Sequence, residues 1–197
     1  MEQYERGFRK NKYFQGEWTP TYICSLEALK AIKYYNKDVK ILYLHRDPLA
    51  RIWSEYNSFR SKGFYATITD YTFKGLVDRS YHTATTKNLG KSVQNFLLYN
   101  SMYAAHLDNV YSLFPESNIK VISHSDVVTA LEPTTHEIQR FIGVSPTNNK
   151  TIRPRHINPT KIVYDKAKYY EIEEQLKEVL YKDNARLREV YGIDYTL

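Results

Sequence analysis

A short apolar run followed at once by a helix start constrains the fold more than any other segment. Residues 39–44 read Val-Lys-Ile-Leu-Tyr-Leu, a nearly continuous apolar run of strand length that is typical of a strand covered on both faces. Asp47 and Pro48 follow and suit the N-cap and first turn of a helix, and apolar residues then recur at helical spacing over residues 49–60. The pattern predicts a strand, a tight turn and a helix.

The rest of the chain adds more helices and a second strand. We expect helices at 25–35 behind a Ser25 cap, at 93–114, at 138–142 and at 166–191, and a buried strand at 119–122. Thr134 and Glu137 form a capping box for the third of these helices, and Gly143 ends it. The polar sequence of residues 61–90 predicts a long loop with a short helix at 73–78. Residues 148–160 are predicted to form a basic loop. Strands that alternate with helices predict an α/β fold with a mostly parallel sheet.

Length and cysteine content exclude several classes of protein. The 197 residues, 42% of them hydrophobic, suit one domain over 1–197 with a sizeable core. Cys24 is the single cysteine, so an internal disulfide framework and a cysteine-rich zinc module are both excluded. The six histidines show no ligand-like spacing, and we expect no metal. The N-terminal residues lack the apolar core of a signal peptide and no run suits a membrane span, so we expect a cytoplasmic protein.

The net charge and the tyrosine content indicate which classes of partner the chain can bind. A formal net charge of +6 favours an anionic partner, which is a nucleic acid, an acidic membrane face or a phosphorylated small molecule. The 19 tyrosines interleaved with basic residues suit base stacking on single-stranded nucleic acid. Alternatively they pack at the edge of the core with their hydroxyls in water, which is the interpretation we favour.

Two common catalytic motifs are absent or incomplete. The chain has no Gly-x-Ser-x-Gly elbow, which argues against a serine hydrolase. Gly90-Lys91-Ser92 repeats the end of a phosphate-binding loop, but Thr85 stands where the first glycine is required. Residues 79–84 also lack the apolar strand that leads into such a loop, so we interpret this match as chance.

The junction between the first strand and its helix is a candidate anion site. Ligands of open α/β sheets bind beyond the carboxyl ends of the strands, where helix amides favour negative charge. Arg46 lies where its guanidinium reaches a phosphate, and Ser54, about two turns into the helix, reaches the same group. The alternative is that Arg46 and Asp47 only close a structural turn. The residues alone leave both interpretations open.

Several segments in order carry a resemblance to a known family. Residues 40–56, Lys-Ile-Leu-Tyr-Leu-His-Arg-Asp-Pro-Leu-Ala-Arg-Ile-Trp-Ser-Glu-Tyr, resemble the 3′-phosphate-binding segment of sulfotransferases that use 3′-phosphoadenosine 5′-phosphosulfate. Residues 16–22, Gly-Glu-Trp-Thr-Pro-Thr-Tyr, resemble the Gly-Glu-x-(Ser/Thr)-x-x-Tyr segment of the heparan sulfate and related carbohydrate branch. Residues 102–115, 141–144 and 180–187 follow in that family's order. The resemblance runs from about Tyr4 to the C-terminus.

This resemblance implies a fold, a reaction and site residues. It implies a P-loop-NTPase-like three-layer α/β fold, with a mostly parallel central sheet flanked by helices. The implied reaction moves a sulfuryl group to a hydroxyl or amine of a carbohydrate-like acceptor, releases 3′,5′-adenosine bisphosphate and needs no metal. Arg46 and Ser54 would bind the 3′-phosphate, and Glu17 would be the general base. Residues of the basic loop would close over the nucleotide, or form an ordinary solvated loop; they are Arg153, Arg155 and Lys161.

One family feature has no counterpart in the sequence. The family begins with a strand and a Lys/Arg-x-Gly-Thr-(Ser/Thr) loop that binds the 5′-phosphosulfate, and nothing before Tyr4 matches it. We therefore expect a sulfotransferase-like domain that is N-terminally incomplete. The leading functional hypothesis is a sulfotransferase. The alternatives are a catalytically impaired remnant that binds a nucleotide or a partner and, last, a protein that binds single-stranded nucleic acid.

Overall fold

A computed structural model of the chain describes residues 15–61, 97–147 and 166–197, together with Gly75. It contains three short 3-10 turns, Tyr22–Cys24, Tyr99–Ser101 and Glu116–Asn118. The helices and strands run in the order α1 (Leu26–Tyr35), β1 (Ile41–His45), α2 (Pro48–Ser61), α3 (Tyr103–Leu113), β2 (Ile119–Ser123), α4 (His124–Thr129), α5 (Leu131–Phe141) and α6 (Lys166–Tyr191).

The two strands pair in parallel, which confirms the predicted sheet type. Ile41 lies opposite Ile119, and the register continues to His45 opposite Ser123. The carboxyl ends of both strands therefore meet at one edge of the sheet. Arg46 follows directly on one strand and His124 on the other, so a nitrogen-bearing side chain follows each strand at this edge.

Burial of β1 differs from the sequence-based expectation. Tyr43 and His45 are buried, but Leu42 and Leu44 on the opposite face are 45% and 51% exposed. Side chains alternate between the two faces of a strand. One face packs on Tyr103, Leu107 and Leu187 in a single apolar cluster, whereas the other is open to solvent. The prediction of a strand covered on both faces is therefore wrong for β1.

The core is built around α3 and α6. Leu107 and Val110 on α3 are fully buried, and Leu176, Leu180 and Leu187 on α6 are each 1% exposed. The three leucines repeat at helical spacing, which places them on one face of α6. That face packs against α2 and α3 and explains why so polar a helix is stable over 26 residues.

Three predicted helix ends are confirmed. The Ser25 side chain accepts a hydrogen bond from the Ala28 amide and caps α1. Asp47 Oδ1 accepts one from the Ala50 amide at 2.6 Å and caps α2. Gly143 follows α5 with a φ of 79°, a conformation that side-chain-bearing residues rarely adopt.

The capping box predicted at Thr134 is wrong. Helix α5 begins at Leu131, and its N-cap residue, Ala130, makes no side-chain cap. Thr134 lies inside the helix, where its hydroxyl donates to the Asp126 carbonyl of α4. That tertiary contact takes the hydroxyl away from local capping. The sequence pattern also missed α4 itself, which is only six residues long.

The helix predicted at 93–114 starts later than expected, and residues 93–96 lie outside the described part. Residues 97–102 form turns, and α3 begins at Tyr103. Asp183 of α6 explains this start, since its two carboxylate oxygens accept the amides of Ala104 and Ala105, each at 3.1 Å. A cap that comes from 79 residues away leaves no local sequence pattern. The loop predicted at 61–90 and the short helix at 73–78 lie almost entirely outside the described residues.

We expect Asp183→Ala to destabilise the fold by about 2 kcal/mol, because two amides at the start of α3 lose their acceptors. Denaturant unfolding followed by circular dichroism measures the change. Glu178→Ala, an exposed acid on the same helix, is the control and should change stability little. Equal effects of the two substitutions would contradict a capping role for Asp183.

Within the part of the chain that the structure describes, no helix is both long and apolar enough to cross a membrane. The same part contains no group of three or more His, Cys, Asp or Glu side chains arranged to hold a metal. The cytoplasmic location stays a prediction.

Candidate functional site

Arg46 lies where the sequence placed it, directly after β1 at the carboxyl edge of the sheet. The residue is half-buried. Burial raises the pKa of Tyr103 to about 12, and the charge of Arg51 and the backbone of Arg46 act against that rise. In the described residues the Arg46 guanidinium forms no ion pair with a carboxylate. A guanidinium without an ion pair among the described residues suits the binding of an anion.

Ser54 lies on α2, in the same strand–turn–helix unit as Arg46. Asp47 caps this helix at its start, and Ser54 follows about two turns later. Residues seven apart lie on one helix face, so Ser54 is on the same side of α2 as its N-cap. The structure therefore places Arg46 and Ser54 in one continuous unit, and their binding of a phosphate stays a prediction.

Glu17 belongs to an exposed segment that leads into the first 3-10 turn. Its Oε1 accepts hydrogen bonds from the Thr19 hydroxyl and the Tyr22 hydroxyl, both at 2.8 Å. Two donors on one oxygen fix the orientation of the carboxylate. The spacing of the Gly-Glu-x-Thr-x-x-Tyr segment thus has a local purpose, since its threonine and tyrosine both orient the glutamate.

The turn that follows Glu17 is anchored through Cys24. The Cys24 thiol donates to Asn100 Oδ1 at 3.2 Å, and the Tyr99 hydroxyl donates to the Cys24 carbonyl at 3.3 Å. His106 Nε2 donates in turn to the Tyr99 carbonyl at 2.8 Å. These bonds attach the glutamate-bearing segment to the residues that precede α3.

Helix α2 is attached to the same residues from its other side. Arg51 donates to the Leu97 carbonyl and the Ser101 hydroxyl, and it pairs with Glu55 at 2.8 Å. Burial raises the pKa of Glu55, and Arg51 and a hydrogen bond with Asn100 act against that rise. Asn100 therefore contacts Cys24 on one side and Glu55 on the other. Residues 97–101 link the segment that carries Glu17 to the helix that carries Ser54.

The sequence did not single out Arg51, Glu55 or Asn100. The available signal was the pair of opposite charges four residues apart on α2, which favours an ordinary surface ion pair. Its role as a link depends on residues 97–101, which are distant in sequence. Only the folded chain shows that contact.

Cys24 and His106 do not form a nucleophilic pair, although the thiol sulfur lies 3.7 Å from His106 Nε2. Burial raises the pKa of Cys24 to about 12 and lowers that of His106 to about 4. Both side chains are therefore neutral at neutral pH, and a neutral thiol is a poor nucleophile. The pair is part of the structural link.

We expect the Cys24 thiol to resist thiol–disulfide exchange in the native protein at about pH 8, where a free cysteine is substantially ionised. Reaction with a chromogenic disulfide reagent, followed by absorbance, measures this directly because the chain has one cysteine. Full reaction in concentrated guanidinium is the control. A native thiol that reacts as fast as the unfolded one would contradict its burial.

The C-terminal residues contact the carboxyl end of β1. His45 Nδ1 hydrogen-bonds with the Tyr195 hydroxyl. Burial lowers the pKa of His45, and the Asp126 charge acts against this shift. The tail therefore contributes a side chain to the carboxyl edge from 150 residues along the chain, a contact that sequence patterns did not predict.

The predicted nucleotide-closing loop lies outside the described residues. Its three candidate residues, Arg153, Arg155 and Lys161, therefore stay predictions.

Comparison with known proteins shows the family. Residues 24–184 match the family described as "Sulfotransferase domain". The chain is 27% identical over 133 residues to the human heparan sulfate glucosamine 3-O-sulfotransferase 3B1. The aligned region covers 65% of this chain and 30% of that protein. It is 26% identical over 112 residues to the human bifunctional heparan sulfate N-deacetylase/N-sulfotransferase 2, covering 57% of this chain and 12% of that protein.

A solved structure has the same fold. A sulfotransferase from Alicyclobacillus acidocaldarius superposes with a TM-score of 0.65 at 18% identity, over 89% of this chain and 63% of that one. The chain thus spans less than two thirds of the length of each of these proteins.

A parallel sheet with a cationic residue at its carboxyl edge defines an α/β protein suited to an anionic ligand. The chain belongs to the sulfotransferase family. The α/β, P-loop-like fold predicted from the sequence is confirmed.

Proposed function

We propose that this chain transfers a sulfuryl group from 3′-phosphoadenosine 5′-phosphosulfate to a hydroxyl or amine of a carbohydrate-like acceptor. Family membership supports sulfotransfer in general. The two relatives named above act, by their names, on heparan sulfate, which supports a carbohydrate acceptor and a nucleotide sulfate donor.

The observation that carries the proposal is the orientation of Glu17. An acceptor hydroxyl is a weak nucleophile until a base takes its proton, and a positioned carboxylate contributes on the order of 10²–10⁴-fold to such a step. Thr19 and Tyr22 both donate to Oε1. These two bonds orient the carboxylate that we expect to accept the proton.

In the proposed reaction, the acceptor oxygen or nitrogen forms a bond to sulfur while its proton moves to Glu17. The bond from sulfur to the bridging phosphate oxygen breaks, and its electron pair leaves with 3′,5′-adenosine bisphosphate. No electrons enter or leave the system. The chain itself holds the 3′-phosphate through Arg46 and Ser54 and orients the base.

The position of Arg46 supports this use of the sheet edge. Arg46 follows the end of β1 and precedes the 14-residue helix α2. A guanidinium at the carboxyl end of a strand favours a phosphate. We also propose that Arg153, Arg155 and Lys161 close over the bound nucleotide.

Sulfate transfer from labelled donor to a panel of saccharides, with the purified 197-residue chain, tests the proposal. We expect labelled product from at least one hydroxyl- or amine-bearing saccharide. Nucleotide binding without any transfer would instead support the binding-only alternative. Absence of both transfer and binding of 3′,5′-adenosine bisphosphate would overturn the assignment of this site.

A further inference from the structure

Arg46 and His124 occupy matching positions at the carboxyl edge of the sheet. The last paired residues of the two strands are His45 and Ser123, so Arg46 and His124 are the next residue of each strand. Neighbouring parallel strands lie about 4.8 Å apart. The backbones of these two basic residues are therefore close, although 77 residues separate them in the sequence.

Alternation continues the exposed face of β1 to Arg46. On β1, Tyr43 and His45 belong to the buried face, so Leu44 and the following Arg46 belong to the other. Leu44 is 51% exposed, which leaves this face accessible beside Arg46. A ligand that reaches the arginine from this face also lies next to the strand end at which His124 begins α4.

The charge of Arg46 also acts on His124. Burial lowers the pKa of His124, and the positive charge of Arg46 lowers it further. Burial lowers the pKa of His45, and the charge of Asp126, on the same short helix as His124, acts against that shift. Burial raises the pKa of Tyr195, in the C-terminal tail, and the charges of Asp47 and Asp126 raise it further. Asp126 thus contributes to the pKa of His45, whereas Arg46 contributes to that of His124.

We propose that His124, protonated as the ligand binds, is a second ligand of the phosphate that Arg46 holds. The proposal rests on the proposed function and names a further binding residue of the same site. Two adjacent cations repel each other until an anion lies between them. Burial and this repulsion together lower the pKa of His124 in the free protein, and the anion removes the repulsion.

This arrangement links nucleotide affinity to pH. A bound phosphate raises the pKa of His124 from its lowered value, so binding takes up a proton. By linkage, affinity falls as pH rises through the range between the free and bound values, by up to about tenfold per pH unit for one fully linked proton. The phosphates of the ligand also titrate, near pH 6. Their contribution to the pH dependence of affinity has the opposite sign, because cationic partners favour the dianion and binding then releases a proton.

Calorimetric titration with 3′,5′-adenosine bisphosphate tests the proposal, between about pH 6.5 and 8.5, around the ordinary histidine range. Two buffers of different ionisation enthalpy give the number of protons taken up. The wild type is compared with His124→Gln and with a matched control, His136→Gln, whose histidine lies on α5 and contacts the Thr147 carbonyl. Ligand protons cancel in the comparison between variants.

We expect the wild type and His136→Gln to take up more protons than His124→Gln, and to bind more tightly at the acid end. We also expect the difference to vanish with 5′-adenosine monophosphate, which has no 3′-phosphate. His124→Lys keeps a cation at all these pH values and should bind with little dependence on pH in this range.

The outcomes separate this inference from the proposed function. If the wild type does not bind 3′,5′-adenosine bisphosphate, the proposed function fails first. Arg46-dependent binding with the same proton uptake in wild type and His124→Gln overturns the role of His124 alone. Loss of binding in a folded His124→Lys, checked by circular dichroism, overturns it as well.

Discussion

Arg46→Ala should weaken binding of 3′,5′-adenosine bisphosphate by about 100-fold, which corresponds to about 2.7 kcal/mol. Hydrogen bonds between a guanidinium and a phosphate are charge-assisted and contribute about 1.5–3 kcal/mol each. The guanidinium forms no ion pair in the described residues that would have to break first. Isothermal titration calorimetry measures the affinity directly.

Three further variants sharpen this test. Arg46→Lys keeps the charge but loses the planar fork, so we expect an intermediate loss. Ser54→Ala removes one neutral hydroxyl and should cost several-fold, or about 1 kcal/mol. Arg140→Ala removes an exposed arginine of α5 and should leave binding unchanged. Equal binding by wild type and the Arg46→Ala/Ser54→Ala double variant would contradict the site.

Elements with local signals were predictable from the sequence. The Ser25 and Asp47 caps, the strand at 119–122 and the long α6 follow from residues within a few positions of each other, and the structure has them all. Local signals of this kind survive folding because capping bonds and apolar periodicity need no distant partner.

Elements defined by distant contacts were not predictable. Asp183 sets the start of α3, and Thr134 bonds to α4 instead of capping α5. The wrong prediction for β1 has the same cause. An apolar sequence shows that a strand can be buried on both faces, but it does not show which elements pack on each face. In each case the deciding partner lies elsewhere in the chain.

The candidate site also has a part that the sequence predicted and a part that depends on distant contacts. Motif order pointed to Glu17, Arg46 and Ser54, and the structure places the last two in one unit. The connection through Asn100 between the glutamate-bearing segment and α2 emerges only in three dimensions. The same holds for the approach of His124 to Arg46, since it depends on the pairing register of two strands.

Glu17→Gln should lower kcat for sulfate transfer by about 10²–10⁴-fold, because an amide cannot accept the acceptor's proton. Binding of 3′,5′-adenosine bisphosphate should remain unchanged, since Arg46 and Ser54 are intact. The glutamine oxygen still accepts from Thr19 and Tyr22, so the segment should keep its conformation. Initial rates with labelled donor, beside calorimetry with the product nucleotide, separate the two effects.

Two control variants identify the cause of that loss. Glu27→Gln changes an exposed carboxylate in the first turn of α1 and should leave kcat unchanged. Tyr22→Phe removes one of the two donors to Oε1 while keeping the carboxylate, so the rate should fall by only about tenfold, as for one lost hydrogen bond. A Glu17→Gln variant that retains the wild-type rate would place the base elsewhere. Equal losses in Glu17→Gln and Tyr22→Phe would show that the carboxylate orients the segment and does not take the proton.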